Sequence, residues 1–396
     1  MKSALSHFDG QLKAACIAQQ QSGQHNAKTR LLAAAILATA GLASVGFTAQ
    51  AMAATAKTDS TATSVAAQPT ALPAMDADIK RTSVSGLSSG AFMTSQLYVA
   101  YSDIMVGAGI IAGGPYLCAK SWSLNPLVIN ATTTCMSPLT PAVGPNTPLL
   151  VKLSQALEKT GDIASLDNLK DDHLYIFSGQ KDKTVTTAVV DQTEKYFEDV
   201  GVPASAIQYD TSVAAGHAMI TNSSRDTDCP LTAAPYINDC NFEQSTRILD
   251  QIYPDMKAPA TLLSSDVLAF DQAAFLDSKT TSMSDTAYAY IPATCQAGKQ
   301  CAVHVVFHGC KQGAAVIGDK YYADTGYNYM AEANDLIVLY PQVEPSNGAP
   351  LNPEGCWDFW GYSSPTDAEP DFYSRKAPQI SAVYRMIERL SQPRAH

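Results

Sequence analysis

Five short apolar runs are spaced along this chain, and they limit its architecture more than any other feature. They are "MVGAGIIAGG" (105–114), "HLYIFSG" (173–179), "SAIQYDTSV" (205–213), "HVVFHG" (304–309) and "LIVLYPQ" (336–342). Each is rich in Ile, Val, Leu or Tyr and stops at a glycine or a polar turn, as strands buried on both faces do. Helical patterns lie between them, as in "AFMTSQLYVAY" (91–101) and "TTAVVDQTEKYFEDV" (186–200). The last stretch, "PQISAVYRMIERLS", carries apolar residues at helical spacing and closes the fold as a surface helix. A chain built this way is expected to be α/β, with a mostly parallel central sheet and helices on both faces. No repeat or internal linker interrupts it, so residues 73–396 read as one domain.

The first seventy residues read differently. "KTR" at 28–30 precedes the Ala-rich run "LLAAAILATAGLASVGFTAQAMAA", which ends in the small-x-small sequence Ala51-Met52-Ala53. A positive flank, an apolar segment and a cleavable end make 1–53 a secretory signal, and place the mature protein outside the cell or in the periplasm. The competing reading is an uncleaved membrane anchor, for which the run is barely long enough. Residues 54–72 are Thr/Ala/Ser-rich and read as a flexible mature N-terminus. Removing the leader takes Lys2, Lys13, Lys28, Arg30 and Asp9 with it, and the formal charge moves from −11 to −14. An acidic chain without basic runs excludes nucleic acid and anionic membranes as expected partners.

Export also explains the cysteines. Cys16 lies in the leader, which leaves Cys118, Cys135, Cys229, Cys240, Cys295, Cys301, Cys310 and Cys356. An even set in an exported protein suggests four disulfides. Short-range pairs 118–135, 229–240 and 295–301 would leave 310–356 as the long-range one, although sequence alone does not fix the pairing. No C-x-x-C or His/Cys cluster has ligand spacing, so neither a metal nor another cofactor is expected.

The chemistry centres on Gly86-Leu87-Ser88-Ser89-Gly90, which fits G-x-S-x-G with Ser88 in the middle. By composition the motif arises by chance in about one chain in eight of this length. Its context adds weight: "IKRTSVS" before it can be a strand and "AFMTSQLYVAY" after it a helix, the strand–turn–helix that presents a nucleophile in α/β-hydrolases. A serine hydroxyl needs a base, and the base needs an orienting carboxylate. Of the five histidines outside the leader, His396 is terminal, His304 sits within an apolar strand and His173 begins one. His217, in "AAGHAM", follows a strand on a Gly-containing loop and is the expected base. Asp182, in the turn after "HLYIFSG", is the expected acid and completes the order Ser, Asp, His. Ser85 reads as the end of the strand before the motif.

Two backbone N–H donors are also required where the oxyanion forms. Ser89 supplies one. The second usually comes from an HGGG-like loop that precedes the nucleophile, and nothing before residue 86 resembles one. "VVFHGCKQG" (305–313) does, more than two hundred positions after Ser88. If Cys310 is the donor, the chain is a circular permutation of the usual order, with His308 acting as a loop residue. The cluster "GCWDFWGYSS" (355–364) would then lie beside this loop. Trp357, Phe359, Trp360 and Tyr362 become candidates for an aromatic wall that binds substrate, with core packing as the alternative.

"SGLSSGAFMTSQLYVAYSD", "AGGPYLCA", "FSGQKDKTV", "HVVFHGCKQG", "TGYNYMAEANDLIVLYPQ" and "NPEGCWDFWGY", in that order, resemble extracellular poly(3-hydroxybutyrate) depolymerases with a circularly permuted α/β-hydrolase domain. The resemblance spans about residues 72–392. It implies Ser88 as nucleophile, Asp182 as acid, His217 as base, oxyanion amides at Ser89 and Cys310, and an aromatic crevice for the ester chain. Many such enzymes add a linker and a separate polymer-binding domain. This sequence ends at His396, so adsorption is expected through its own surface apolar residues, or activity on amorphous polymer and oligomers. The expected partner is a polyester substrate, the expected state a monomer, and activity should rise with pH through the histidine range. Rival expectations are another secreted carboxylesterase, of feruloyl or acetylxylan type, and a non-catalytic polymer-binding protein.

Overall fold

A computed structural model describes residues 69–364 and 369–394. The expected leader, the first part of the expected flexible segment (54–68) and His396 lie outside the described residues. Eight strands form the central sheet. Chain order begins with β1 (Thr82–Leu87), α1 (Ser89–Ala100), β2 (Met105–Ile111), α2 (Thr147–Thr160), β3 (His173–Phe177), α3 (Thr187–Asp199) and β4 (Ile207–Asp210). A small three-stranded sheet follows, made of β5 (Met219–Thr221), β6 (Thr227–Asp228) and β7 (Ile237–Asp239). The chain then continues through α4 (Gln244–Ile252), β8 (Leu268–Asp271), β9 (Thr286–Tyr290), β10 (Ala302–Phe307), α5 (Tyr327–Ala333), β11 (Leu336–Tyr340) and α6 (Pro378–Ser391).

The order across the sheet is β4-β3-β2-β1-β10-β11-β9-β8. Six strands run parallel from β4 to β11, and β9 and β8 add antiparallel pairs at one edge. Counted from β8 through β11 and then from β1 through β4, the same order reads 1-2-4-3-5-6-7-8. This is an α/β-hydrolase sheet that the chain enters at its fifth strand. Such a permutation needs the two ends of the unit to meet. They do: the Met75 and Ala77 amides donate to the Leu390 carbonyl at 2.9 and 3.1 Å, and Arg389 Nε donates to the Leu72 carbonyl at 2.9 Å.

Strand alternation sorts the core into two layers. Val303, Val305 and Phe307 of β10 join Leu97, Leu150, Phe197 and Met386 from α1, α2, α3 and α6. Ala302 and Val306 face the other way, toward Ile248, Leu249 and Met330 of α4 and α5. α1 is buried along its whole length, which its Ser, Gly, Ala and Thr residues permit by leaving room for the sheet. α2 has explicit stops: the Asn146 side chain caps its first turn, and Gly161 ends it at φ 76°.

Four disulfides join Cys118–Cys135, Cys229–Cys240, Cys295–Cys301 and Cys310–Cys356, the pairing favoured by spacing. Two expectations are corrected. The packed unit begins before residue 73, because Thr70 exchanges backbone hydrogen bonds with Ala269 and Asp271 and Leu72 is only 2% exposed. Ser85 lies inside β1 as part of a buried polar network rather than at its end.

That network centres on His304, on the α4/α5 side of β10. Its Nδ1 lies 2.6 Å from Ser83 Oγ and its Nε2 lies 2.8 Å from Ser85 Oγ. The two hydroxyls continue to Tyr253 and Tyr327, each at 2.7 Å. Burial pulls the His304 pKa from 6.5 down to about 3. The unfolded chain therefore takes up a proton near pH 6.5 that the folded chain refuses until far lower. This contribution to stability is complete above pH 6.5 and is lost as pH falls toward about 3, at up to about 1.4 kcal/mol per pH unit. Chemical denaturation from pH 7 to 4 should show the decline, and the His304 ring signals in NMR should stay those of neutral imidazole throughout; titration near pH 6.5 would contradict this.

Candidate active site

β1 ends at Leu87 and α1 starts at Ser89, which leaves Ser88 to make the whole turn at φ 58° and ψ −123°. A non-glycine residue in this region is strained, and such strain persists only where its surroundings enforce it. Here the Ser88 amide donates to the Ile111 carbonyl at 3.0 Å, and the Ser88 carbonyl accepts from Ala91 and Phe92 at 2.8 and 3.0 Å. The flanking glycines are steric requirements. A Cβ on Gly86 would stand 2.4 Å from the Gly90 carbonyl oxygen, and one on Gly90 would stand 2.4 Å from the carbonyl oxygens of Phe307 and His308. Strand β1, helix α1 and the end of β10 meet with no space for a methyl group.

Asp182 sits in the turn after β3, 4% exposed. Its Oδ1 accepts from the Thr184 and Val185 amides at 2.8 and 3.0 Å, and its Oδ2 lies 2.7 Å from His217 Nδ1. A carboxylate that already accepts two amide protons is held as an acceptor, so Nδ1 carries the imidazole hydrogen and Nε2 keeps its lone pair. The backbone at His217 is pinned by the loop that Cys229–Cys240 closes: its amide donates to Thr232 Oγ1 at 2.9 Å. Gly216 passes so close to Leu231 that a Cβ would lie 2.1 Å from its carbonyl oxygen.

Ser88, Ser89, His217 and Cys310 line one cavity of about 400 Å³. Grooves of about 690 and 620 Å³ lie elsewhere on the surface, but neither contains Ser88 or His217. Between residues 309 and 312 every amide but one has an acceptor. Gly309 donates to Gln312 Oε1, Lys311 to the Glu354 carbonyl and Gln312 to the Gly309 carbonyl. The Cys310 and Ser89 amides have no acceptor among the described residues. Two free N–H groups beside a strained serine meet the requirement for binding a developing oxyanion. No group of three His, Cys, Asp or Glu suited to a metal occurs among the described residues.

The aromatic candidates divide. Phe359 and Trp360 line the cavity, and Phe359 stacks on Phe92 with ring centroids 4.2 Å apart. Trp357 does not line it: it is fully buried and packs against Phe307 and His308. Tyr362 also stands behind the wall, donating to the Cys356 carbonyl at 2.6 Å. Asp358 is the reason. Its carboxylate accepts the amides of Trp360, Gly361, Tyr362 and Ser363, and this tight turn sends neighbouring side chains to opposite sides. Sequence reasoning missed Phe92, four positions after Ser88 on the first turn of α1. It also missed Thr232 and Tyr236 of the Cys229–Cys240 loop, which line the cavity too. Helical spacing from the serine could have found Phe92; the loop residues carry no such signal.

No family model matches the chain. Among curated proteins, the polyhydroxybutyrate depolymerase of Talaromyces funiculosus is 38% identical over 327 residues, which cover 79% of this chain and 89% of that protein. The chain belongs to the poly(3-hydroxybutyrate) depolymerase family. The poly(3-hydroxybutyrate) depolymerase of Delftia acidovorans is 40% identical over 326 residues, covering 81% of this chain but only 61% of the relative's length. Among solved structures, a PHB depolymerase from Penicillium funiculosum superposes with a TM-score of 0.71 at 33% identity, covering 81% of this chain and 99% of that one. A serine-to-alanine PHB depolymerase in complex with an R3HB trimer gives a TM-score of 0.70 at 32% identity.

The packing at the turn of this depolymerase-family chain makes one substitution decisive. Gly90→Ala should destabilise the fold by about 3 kcal/mol or abolish folding, because both opposing atoms are backbone. Gly348→Ala, where nothing lies within 4 Å, should be near neutral. Urea unfolding of the two variants measures the difference, and equal stability would refute the account.

Proposed function

We propose that the protein is a secreted serine esterase that hydrolyses poly(3-hydroxybutyrate) and related short-chain polyhydroxyalkanoate esters through an acyl-enzyme. The observation that carries this reading is the joint placement of Ser88, the Asp182-oriented His217 and the free Ser89 and Cys310 amides around one cavity. The relatives' names and the trimer complex support the substrate class.

In the proposed reaction His217 Nε2 takes the Ser88 hydroxyl proton as Oγ bonds to the ester carbonyl carbon. The Asp182 carboxylate stabilises the resulting imidazolium, and the Ser89 and Cys310 amides stabilise the tetrahedral oxyanion. Collapse breaks the ester C–O bond, and His217 returns the proton to the departing hydroxyl end of the polymer. Water then attacks the acyl-serine by the same route and releases a carboxylate while Ser88 is restored. Phe92, Phe359 and Trp360 give the methyl-bearing chain apolar walls, which suits an aliphatic polyester.

Adsorption to the solid substrate is assigned to the segment beside the cavity. Leu124 and Leu139 are 97% exposed, Val128, Ile129 and Val143 are about half exposed, and Thr132 and Met136 of the same segment line the cavity. Secretion rests on the leader sequence, and four disulfides fit an oxidising compartment.

Turbidity loss of an amorphous polyhydroxybutyrate suspension, with release of 3-hydroxybutyrate products, tests the reading. Ser88→Ala should abolish clearing, and Asp182→Asn should lower kcat roughly a thousandfold or more by removing the carboxylate that sets the His217 tautomer. Binding without product release would favour a polymer-binding protein. Release from acylated sugars alone would favour a feruloyl or acetylxylan esterase.

A further inference from the structure

We infer that His308 and Gln312 are positioning residues that aim the Cys310 N–H into the oxyanion site, the His308 ring by holding the carbonyl of the same peptide and the Gln312 side chain by holding the adjoining Gly309 amide. The inference rests on the reading of Cys310 as an oxyanion donor. In a trans peptide the N–H points opposite to the C=O, so the direction of one fixes the other. The peptide that carries the Cys310 N–H carries the Gly309 carbonyl. Two donors hold that oxygen from behind: His308 Nδ1 at 2.7 Å and the backbone N–H of Gln312 at 3.2 Å.

The chemistry of the partners sets each role. A carbonyl only accepts, so His308 Nδ1 carries the hydrogen. The Val343 amide only donates, at 3.2 Å, so His308 Nε2 supplies the lone pair. The ring is therefore a neutral spacer fixed at both nitrogens. Its burial lowers the pKa to about 4 and keeps it neutral over the range in which a histidine base functions.

Gln312 acts on the other side of the same residue. It is 1% exposed, and its Oε1 takes the Gly309 amide at 2.7 Å. This removes the neighbouring N–H from competition and leaves the Cys310 N–H as the single free donor of the loop. Both hydrogens of its Nε2 go to the Pro235 and Tyr236 carbonyls, each at 3.0 Å. Those carbonyls belong to the loop closed by Cys229–Cys240, the same loop whose Thr232 holds the His217 amide. One loop thus braces the expected base at one end and the expected oxyanion donor at the other. Gly313 makes room for this arrangement, since a Cβ there would stand 2.5 Å from the Val343 carbonyl oxygen and 3.2 Å from the His308 ring.

The full-length protein, with p-nitrophenyl butyrate as substrate and butylboronic acid as probe, tests the inference. The boronic acid forms a tetrahedral adduct on the serine and places an oxygen in the hole without a leaving group. Gln312→Met keeps the volume and the backbone bond to the Gly309 carbonyl but removes the three side-chain hydrogen bonds, to the Gly309 amide and to the Pro235 and Tyr236 carbonyls. It should lower kcat about 10- to 100-fold with KM within about twofold, and weaken boronate inhibition by the same factor. His308→Asn retains a donor for the Gly309 carbonyl and should keep at least about tenfold more kcat than His308→Leu. This second pair decides the matter if Gln312→Met does not fold. An unchanged kcat in Gln312→Met, a kcat loss without loss of boronate affinity, or equal activity of the two His308 variants would overturn the inference. Failure of the underlying reading has a separate signature: Ser88→Ala would hydrolyse the ester like wild type, boronate would not inhibit wild type, and the inference would fall with it.

Discussion

Every part of the site depends on the pairing of β1 with β10. These strands are separated by some two hundred residues of chain, and their parallel register sets Gly86 against Phe307. Just beyond that pair, the strained turn at Ser88 and the loop that begins at His308 leave the sheet side by side. The cost of closing so long a loop grows only slowly with its length, whereas register is strongly specified where the two faces of a strand differ, since a one-residue slip exchanges them. Val84 on one strand and Val303, Val305 and Phe307 on the other make that layer apolar. A slip by one residue would turn His304 into it and strand the Ser83 and Ser85 hydroxyls. The buried network therefore acts on register as well as on stability, and register decides whether a free amide stands beside Ser88.

What was legible in the sequence follows from the range of the interactions involved. The turn at Ser88 has a local signature, a glycine two positions on either side of the serine, so the motif showed it, although the atoms that require Gly90 are the distant Phe307 and His308 carbonyls. Asp182 and His217 were legible because each follows a strand, and a strand's end marks a place in the fold. The "FHGC" loop was legible for the same reason, and its late position exposed the permutation. The edge strands β8 and β9 escaped notice. "LAFD" is too short to show periodicity, and "TAYAY" alternates only weakly between small and large residues.

The aromatic wall was less legible because its side-chain directions are set by one carboxylate. With four amides drawn onto Asp358, the backbone turns within a few residues, and "WDFWGY" cannot alternate as a strand would. Trp357 goes inward to cover His308, while Phe359 and Trp360 face the cavity. Composition shows that rings are present, but the turn decides which of them meet a ligand. Phe92 is the converse case. Its place on the first turn of α1 is fixed by Ser88, yet it reads as an ordinary core residue until Phe359 is found stacked on it.

Three of the four disulfides serve the loops around the cavity. Cys118–Cys135 spans 17 residues and encloses Thr132; Cys229–Cys240 spans 11 and carries Thr232 and Tyr236; Cys310–Cys356 spans 46 and ties the free amide to the aromatic turn. A crosslink over a loop of about 15 residues removes about 3 kcal/mol of chain entropy from the unfolded state. For catalysis the greater consequence is in the folded state. An oxyanion donor is effective only if it is already aimed when charge develops, and a donor on a loop has no strand to aim it. In the loop from Gly309 to Gln312 the free amide is held instead by a disulfide and by hydrogen bonds of the buried His308 ring and Gln312 side chain. Under the proposed function, loops braced in this way let the transition state meet donors that need not move.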